Sequence, residues 1–421
     1  MNSPSSCSPG RAVGPRLFVM MVLQFFIWGA WLPLIWSYMG GLGFTGTQIA
    51  WVGSAFAIAS ILAIFVGNQF VDRRFSAERF MAGSHLVGGL AMLGLYFTRD
   101  FPTFFVLMLV HSICYVPTIS VANSLAFTHL KDARREFGLV RMGGTIGWIL
   151  ASWPLYFVLQ DVQGAALERA LSYIFLVAGG GSVLLAGFSL LLPHTPPRTV
   201  VEGTGGKLAW REALKFLGTT PFLLVLFVVT FIDSTIHNGY FLVAGGFLGQ
   251  IGVKPENIMP IMSIGQVAEI LTMAGLGLAL KRLGWKWTMI IGILGHAGRF
   301  LVFAFFSDSI PAVVAVQVLH GICYAFFFAT VYIFIDVAFP KDVRTSAQGL
   351  FNLLILGLGD LAAKWLFIPL QASLTRDGVV DYQKLFLVPS GLALVAAVLL
   401  LVAFRPPAAL DVAEGATGAG H

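Results

Sequence analysis

An all-α integral membrane protein with twelve membrane-spanning helices in two halves is the fold class that the sequence predicts. Of the 421 residues, 57% are hydrophobic and 11% are charged, whereas soluble domains carry about 25% charged residues. Twelve apolar stretches are each long enough to cross a bilayer core, which takes about 20 helical residues. A motif in the first half of the chain recurs in the second half, so the halves are predicted to share one architecture.

The predicted spans are separated by short polar turns. They are placed at residues 17–39, 48–71, 79–97, 102–127, 139–159 and 171–192 in the first half, and at 220–249, 258–280, 286–306, 311–338, 345–374 and 384–404 in the second. The stretch between the halves contains prolines, a glycine patch and charges of both signs, which is typical of a linker. We therefore predict a tail over 1–16, a six-helix bundle over 17–192, a linker over 193–219, a second bundle over 220–404 and a tail over 405–421.

The basic residues indicate the orientation of the chain in the membrane. Most of the 26 lysines and arginines fall in the two tails, the linker and the turns on one side. The positive-inside rule therefore predicts that both termini are cytoplasmic. The same residues explain the net charge of +6 without a basic face on a folded domain, so no nucleic-acid partner is predicted.

An internal repeat relates the two halves. The string HSICY at residues 111–115, in predicted span four, recurs as HGICY at 320–324, in predicted span ten, 209 residues later. The charged turn at Asp72-Arg73 meets Lys281-Arg282 at the same offset. Two six-helix halves in parallel, joined by a cytoplasmic linker, describe the major facilitator architecture.

Glu269 is the first candidate for chemistry, because an ionisable group inside a membrane costs at least a few kcal/mol and needs a reason to be there. It lies about halfway along predicted span eight, with Gln266 one turn earlier on the same face. Removal from water favours the neutral form of a carboxyl, which can then take up and release a proton. Glu269 is therefore predicted to couple to protons; the structural alternative is a carboxyl held by hydroxyls in a helix interface.

Predicted span five carries a second candidate group. Arg141, Thr145 and Trp148 have spacings that put a cation, a hydroxyl and an indole on one stripe. Such a stripe suits a ligand with a planar heterocycle and hydroxyls, because aromatic faces stack on bases and guanidinium donates to oxygen. Arg141 could equally reach lipid phosphate.

Predicted span seven carries Asp233, His237, Asn238 and Tyr240. Asp233 and His237 are four residues apart and could neutralise each other. Asn238 and Tyr240 offer donors and acceptors to a polar ligand, although hydrogen bonding between helices is the commoner use of such residues. Asn238 is kept as a ligand candidate.

The remaining ionisable residues in the spans receive structural interpretations. Asp360 and Lys364 are four residues apart in span eleven, so they are predicted to form an ion pair whose lysine reaches the outer interface. Arg299 has no evident partner, and His85 and His296 are predicted to lie in helix interfaces.

No enzyme or cofactor chemistry is predicted. The glycine-rich strings at 143–147 and 179–182 lie in membrane spans and lack the ending of a phosphate loop, so close helix packing explains them. The three cysteines form neither a disulfide framework nor a metal site. The sequence therefore predicts no metal, no cofactor and no catalytic constellation.

Several strings beyond the twelve-span pattern carry a family resemblance. The chain resembles the bacterial nucleoside:proton symporter family of the major facilitator superfamily. The matching strings are residues 23–29, Val140-Arg141, 144–147, 192–194, Ser263-Ile264 with Gln266 and Glu269, Arg299-Phe300, and 346–349.

The resemblance implies the residues of a substrate site. The family's contacts to sugar and base fall on Arg141, Thr145, Trp148, Gln266, Glu269, His320 and Tyr324, with Asn238 as the match in span seven. The family typically has an aspartate after the aromatic residue in span ten, where this chain has Ala325. Proton coupling then rests on Glu269 alone, or Asp233 supplies the second carboxyl. Asn68 also stands where a glycine is usual.

The expected function is import of nucleosides across the bacterial inner membrane by alternating access, coupled to proton symport. The expected partners are a nucleoside, protons and the lipid bilayer, with the protein as a monomer. A passive nucleoside facilitator is an alternative because of Ala325. A transporter for another polar solute, such as an oligosaccharide, and a sensor that binds without transport are the others.

Overall fold

The structure, a computed structural model, describes residues 13–63, 75–130, 133–196, 209–340, 343–407 and 410. The membrane helices are numbered α1 to α12. They are Val13–Gly41 (α1), Gly46–Leu62 (α2), Ala77–Phe97 (α3), Phe101–His129 (α4), Leu139–Leu159 (α5), Ala165–Ser189 (α6), Pro221–Gln250 (α7), 255–283 (α8), 285–305 (α9), Ile310–Ala338 (α10), Ser346–Ser373 (α11) and Tyr382–Ala403 (α12).

One glycine accounts for the separation of α8 from α9. The helical stretch Pro255–Phe305 runs for 51 residues, but Gly284 within it has φ 68° and ψ 176°. A positive φ is accessible to glycine at little steric cost, so the chain reverses there into a second span. Within the described part of the chain, the twelve predicted spans each correspond to a helix, and the predicted all-α membrane fold is confirmed.

Side-chain caps fix several helix starts. The Thr45 hydroxyl accepts from the Gln48 backbone N–H, while the Gln48 side chain accepts from the Thr45 N–H, which forms a capping box at α2. Asp100 caps α4 by accepting from the Thr103 N–H at 2.9 Å. That hydrogen bond lowers the pKa of the Asp100 carboxyl below its ordinary value.

Two predicted boundaries differ from the observed helices, and several other predicted features lie outside the described residues. α1 includes Val13 and so begins inside the predicted tail. The second part of the predicted linker forms a helix, Ala209–Thr219, which packs Phe216 on Phe339. The Asp72-Arg73 turn, Asn68, residues 1–12, the middle of the linker and most of the C-terminal tail lie outside the described residues.

Glycines allow close contact between helices within each half. A Cβ on Gly147 of α5 would overlap the carbonyl of Val22 in α1, and a Cβ on Gly179 of α6 would lie 2.7 Å from Leu93 in α3. In the second half, a Cβ on Gly292 of α9 would lie 2.8 Å from the backbone of Phe327 in α10. The prediction that the glycine strings in α5 and α6 serve helix packing is confirmed.

The first half (α1–α6) and the second half (α7–α12) contact each other along α2 and α11 and at one end of the molecule. The rings of Trp51 and Trp365 meet edge to face at 5.5 Å, and the Trp365 indole donates to Ser54 at 3.1 Å. Between the turn after α5 and the turn after α7, Lys254 lies 3.6 Å from Asp161. The halves are therefore closed against each other at this end.

A short hairpin joins α11 to α12. Its strands, Thr375–Arg376 (β1) and Val379–Val380 (β2), pair in antiparallel register, with Thr375 opposite Val380. Gln250 at the end of α7 exchanges two hydrogen bonds with the Val380 backbone. These bonds hold the hairpin against α7.

Candidate functional site

A cation and a carboxyl from different halves meet at the centre of the molecule. Arg141 of α5 is close enough to Glu269 of α8 and to the Tyr324 hydroxyl of α10 to interact electrostatically with both. All three side chains retain partial exposure. The Arg141 guanidinium lies over the Phe25 ring of α1, 4.1 Å from its centroid. This arrangement can bind an oxygen-bearing ligand and hold or release a proton at the Glu269 carboxyl.

Two glycines bring α8 and α10 together at this point. A Cβ on Gly265 would lie 2.8 Å from the His320 side chain, and a Cβ on Gly321 would overlap the backbone of Glu269. The helices therefore approach until their backbones nearly touch. This contact places His320 beside Gln266, with the His320 Nε2 atom 3.4 Å from the Gln266 Nε2 atom.

An aromatic layer lies next to Arg141 and Glu269. The Trp148 ring meets Trp28 of α1 at 5.6 Å and Phe241 of α7 at 5.5 Å, in both cases edge to face. Phe241 in turn contacts the His320 ring at 5.3 Å. The layer joins the two halves and offers indole and phenyl faces on which a flat ring can stack.

A cavity lies on the other side of this layer, towards the closed end. It is lined by residues of α1, α2, α4, α7 and α11, among them Trp28, Trp31, Trp36, Asn238, Phe241, Asp360 and Lys364. Asn238 borders the cavity, but its amide donates to the carbonyls of Ser234 at 2.9 Å and Ile355 at 3.2 Å. The bond to Ser234 stays within α7, and the bond to Ile355 holds α7 against α11.

The predicted site residues therefore fall into two groups. Arg141, Trp148, Gln266, Glu269, His320 and Tyr324 lie in one connected cluster between the halves, and Thr145 lies on α5 between two of them. Asn238 lies apart from Glu269, on the cavity beyond the aromatic layer.

Asp233 and His237, which the sequence left as a possible neutral pair, instead face residues of other helices. The His237 ring stacks on His320, with centroids 5.0 Å apart. Asp233 instead faces α9, where its Oδ2 atom lies 3.6 Å from the His296 Nε2 atom. Four residues along one helix bring side chains near each other, but here neighbouring helices supply nearer partners.

The predicted ion pair between Asp360 and Lys364 is confirmed, since the ammonium donates to the carboxylate. The lysine does not reach the interface, however. Lys364 is 3% exposed, and its Nζ lies 5.5 Å from the centroid of the Trp36 ring in the other half. Packing between the halves encloses the lysine.

Two other predictions concern buried polar residues. His85 does lie in a helix interface, with Nε2 2.9 Å from Gln24 Oε1 and Nδ1 3.2 Å from Ser182 Oγ. Arg299, which had no evident partner in the sequence, contacts His320 at 2.6 Å and His296 at 3.2 Å. The sequence showed only an arginine inside an apolar span. Its partners could not be identified there, because they lie on another turn of α9 and on α10.

Sequence reasoning missed Phe25 and Phe241 as parts of the site. Both are ordinary phenylalanines in apolar spans, and only the packing of α1 and α7 on α5 gives them a partner with charge or an indole face. Among the residues that the structure describes, no group of three or more His, Cys, Asp or Glu side chains could hold a metal ion.

Comparison with known proteins identifies relatives along nearly the whole chain. A family model described as "Nucleoside H+ symporter" matches residues 12–409. The chain is 34% identical over 350 residues to a putative nucleoside transporter, YegT, of Escherichia coli, covering 82% of this chain and 81% of that one. It is 29% identical over 416 residues to the xanthosine permease of Escherichia coli, covering 94% and 96%.

The fold matches solved transporters. The crystal structure of the nucleoside transporter NupG superimposes with a TM-score of 0.81 at 24% identity, covering 94% of this chain and 100% of that one. The crystal structure of a D-xylose–proton symporter superimposes with a TM-score of 0.71 at 15% identity, covering 93% and 98%. The predicted major facilitator fold is therefore confirmed.

Proposed function

The chain belongs to the nucleoside H⁺ symporter family, and from this premise we propose that it imports nucleosides and couples their uptake to protons. The observation that carries the proposal is the electrostatic interaction of Arg141 with Glu269 across the two halves. An ionised Glu269 pairs with the arginine. A protonated Glu269 leaves the guanidinium available to an oxygen of the ligand.

The remaining side chains of the cluster are assigned to the ligand. Arg141 and Thr145 hold hydroxyls, Gln266 supplies an amide, and Trp148 and Tyr324 present ring faces to the base. Stacking of a base on an aromatic side chain contributes about 1–3 kcal/mol. His320 supports Gln266, and Asn238 meets the ligand on its way through the cavity beyond the aromatic layer.

We infer alternating access from the contact that closes one end of the molecule. If both termini are cytoplasmic, the end closed by Asp161 and Lys254 is the outer end, and the structure corresponds to a state closed to the outside. Import then requires the halves to separate along α2 and α11 so that a nucleoside can pass Trp36 and Lys364.

We further propose that the protein is a monomer in the bacterial inner membrane.

The experiment that tests this function is uptake of labelled uridine and adenosine into proteoliposomes, with and without an inward proton gradient. We expect accumulation against the nucleoside gradient only when the proton gradient is present. Glu269→Gln should equilibrate nucleoside without accumulating it. Glu168→Gln, which changes an exposed carboxyl in the first turn of α6, should behave as the wild type.

A passive nucleoside facilitator is the second candidate, and Ala325 is the observation that favours it. Ala325 is completely buried in α10, and its methyl group occupies the position where the family typically has a carboxyl. Uptake that equilibrates but never accumulates, unchanged by Glu269→Gln, would establish the facilitator. Accumulation that persists in Glu269→Gln would transfer the coupling role to another group.

A further inference from the structure

Arg299 of α9 is completely buried and makes three directed contacts. Its Nη1 lies 2.6 Å from the His320 Nδ1 atom, and its Nη2 lies 3.2 Å from the His296 Nδ1 atom. The plane of its guanidinium covers the Tyr240 ring, with Cζ 3.9 Å from the ring centroid. The arginine is therefore held in one orientation between two imidazoles.

The chemistry of guanidinium decides where the protons of both imidazoles lie. An arginine carries five N–H donors and no acceptor, so the Nδ1 atoms of His320 and His296 must accept. A neutral imidazole that accepts at Nδ1 carries its proton at Nε2. Both histidines are thus fixed as neutral Nε2–H tautomers by one residue.

The fixed proton on His320 has a consequence for Gln266. The His320 Nε2 atom lies 3.4 Å from the Gln266 Nε2 atom, and two N–H donors cannot bond to each other. The Nε2–H tautomer of His320 therefore requires the Gln266 amide to turn by 180°, so that its oxygen accepts from His320. The Gln266 oxygen is buried without a hydrogen-bond partner among the described residues, so turning the amide breaks no hydrogen bond of that oxygen. With its oxygen turned to His320, the amide presents its NH₂ group away from the His320 ring.

Asp233 balances the positive charge of Arg299. The His296 Nε2 atom lies 3.6 Å from Asp233 Oδ2, too far for a hydrogen bond, and Asp233 is completely buried. Arg299 and Asp233 interact electrostatically, so the arginine's charge has a counter-ion in the same half. Without it, a buried guanidinium would be strongly unfavourable.

The internal repeat gives a comparison within the chain. His111 of α4 corresponds to His320, but its Nδ1 atom lies 3.0 Å from the carbonyl oxygen of Gly88. A carbonyl only accepts, so His111 donates at Nδ1 and is the opposite tautomer. The Arg299 arrangement is therefore specific to the half that contributes Glu269.

We propose that Arg299 is a positioning residue for substrate recognition, which acts through the His320 tautomer to turn the Gln266 NH₂ group towards the ligand. The group of the ligand that faces Gln266 is then a hydrogen-bond acceptor, a carbonyl or sugar oxygen of the nucleoside. This inference rests on the proposed function for the identity of the ligand. The network itself does not depend on it.

The tautomer is measured directly by nitrogen NMR on the full-length protein in lipid nanodiscs, with ¹⁵N-labelled histidine. His320→Phe assigns the His320 signals by their loss. We expect an unprotonated Nδ1 and a protonated Nε2 in the wild type, and a mixture of tautomers in Arg299→Gln, because an amide can either donate to or accept from the imidazole. A protonated Nδ1 in the wild type would overturn the proposal.

Binding tests the consequence for the ligand. Uridine and analogues that each lack one oxygen are titrated against the wild type and against Gln266→Met. The oxygen that faces Gln266 is the one whose removal weakens binding to the wild type but not to Gln266→Met. We expect the wild type to bind that analogue about tenfold more weakly than uridine, the size of one hydrogen bond. His320→Phe should reduce this ratio to about one.

His237→Phe is the matched control, because that ring stacks on His320 and is outside the Arg299 contacts. It should keep the tenfold ratio. A ratio that survives in His320→Phe would contradict the proposal. A wild type that binds no uridine would instead overturn the proposed function, while the histidine spectrum would still decide the network.

Discussion

Gly321 of α10 packs so closely on the backbone of Glu269 in α8 that the structure has no room for a Cβ there. The contact sets the distance between the carboxyl, Gln266 and His320. At the corresponding position of the first half the chain has Ser112. The close approach of α8 and α10 is thus a property of the second half, where the candidate proton-carrying residue lies.

Gly321→Ala should therefore destabilise the protein and lower uptake. Separating two packed helices to admit a methyl group costs about 1–3 kcal/mol, and the obstacle here is backbone, which cannot rotate away. Thermal unfolding in detergent and uridine uptake measure the two effects. Gly275→Ala in α8, the helix on which Gly321 packs, should leave both unchanged, because a Cβ there would meet nothing within 4 Å; equal effects would contradict the packing argument.

Asp360→Asn should be strongly destabilising. The substitution leaves Lys364, which is 3% exposed, as a buried charge without its carboxylate. Breaking one side of a buried ion pair costs about 3–5 kcal/mol, whereas removing both charges is often neutral. Asp360→Asn combined with Lys364→Met should therefore recover most of the lost thermal stability. A double variant no more stable than the single one would show that the pair is not the reason.

Trp148→Ala should weaken nucleoside binding by about 1–3 kcal/mol, the contribution of one stacked base. Trp148→Phe keeps a ring face and should lose less. Calorimetric titration of uridine measures both. Trp153→Ala is the control, because this tryptophan of α5 is 54% exposed and lies outside the cluster; a loss of affinity there would point to a general effect on α5.

Asp161→Lys should favour opening of the closed end. Asp161 and Lys254 are both exposed, so their attraction contributes at most about 1 kcal/mol, and like charges should raise the open population about fivefold. Labelling of Met39→Cys, which is buried on the cavity, by an impermeant maleimide reports the opening in a background without the three native cysteines. Adding Lys254→Gln should restore slow labelling. An unchanged rate would mean that other contacts hold the end closed.

Much of the fold and part of the site could be predicted from the sequence. Apolar runs fix the spans because lipid admits only helices whose backbone bonds are satisfied internally. Glu269 and Arg141 stand out because charges in such runs are rare. The role of Arg299 could not be predicted, because its partners His320 and Tyr240 lie on α10 and α7.

Features that the sequence determined and features that only the tertiary structure decided differ for a physical reason. The sequence by itself determined the number of spans, the glycine-lined helix faces and the presence of polar groups, because each depends on residues close together along one helix. Only the tertiary structure decided that Lys364 is enclosed, that Asp233 faces His296 and that Gln266 meets His320. Those pairings depend on the distance and angle between helices, which local periodicity does not encode.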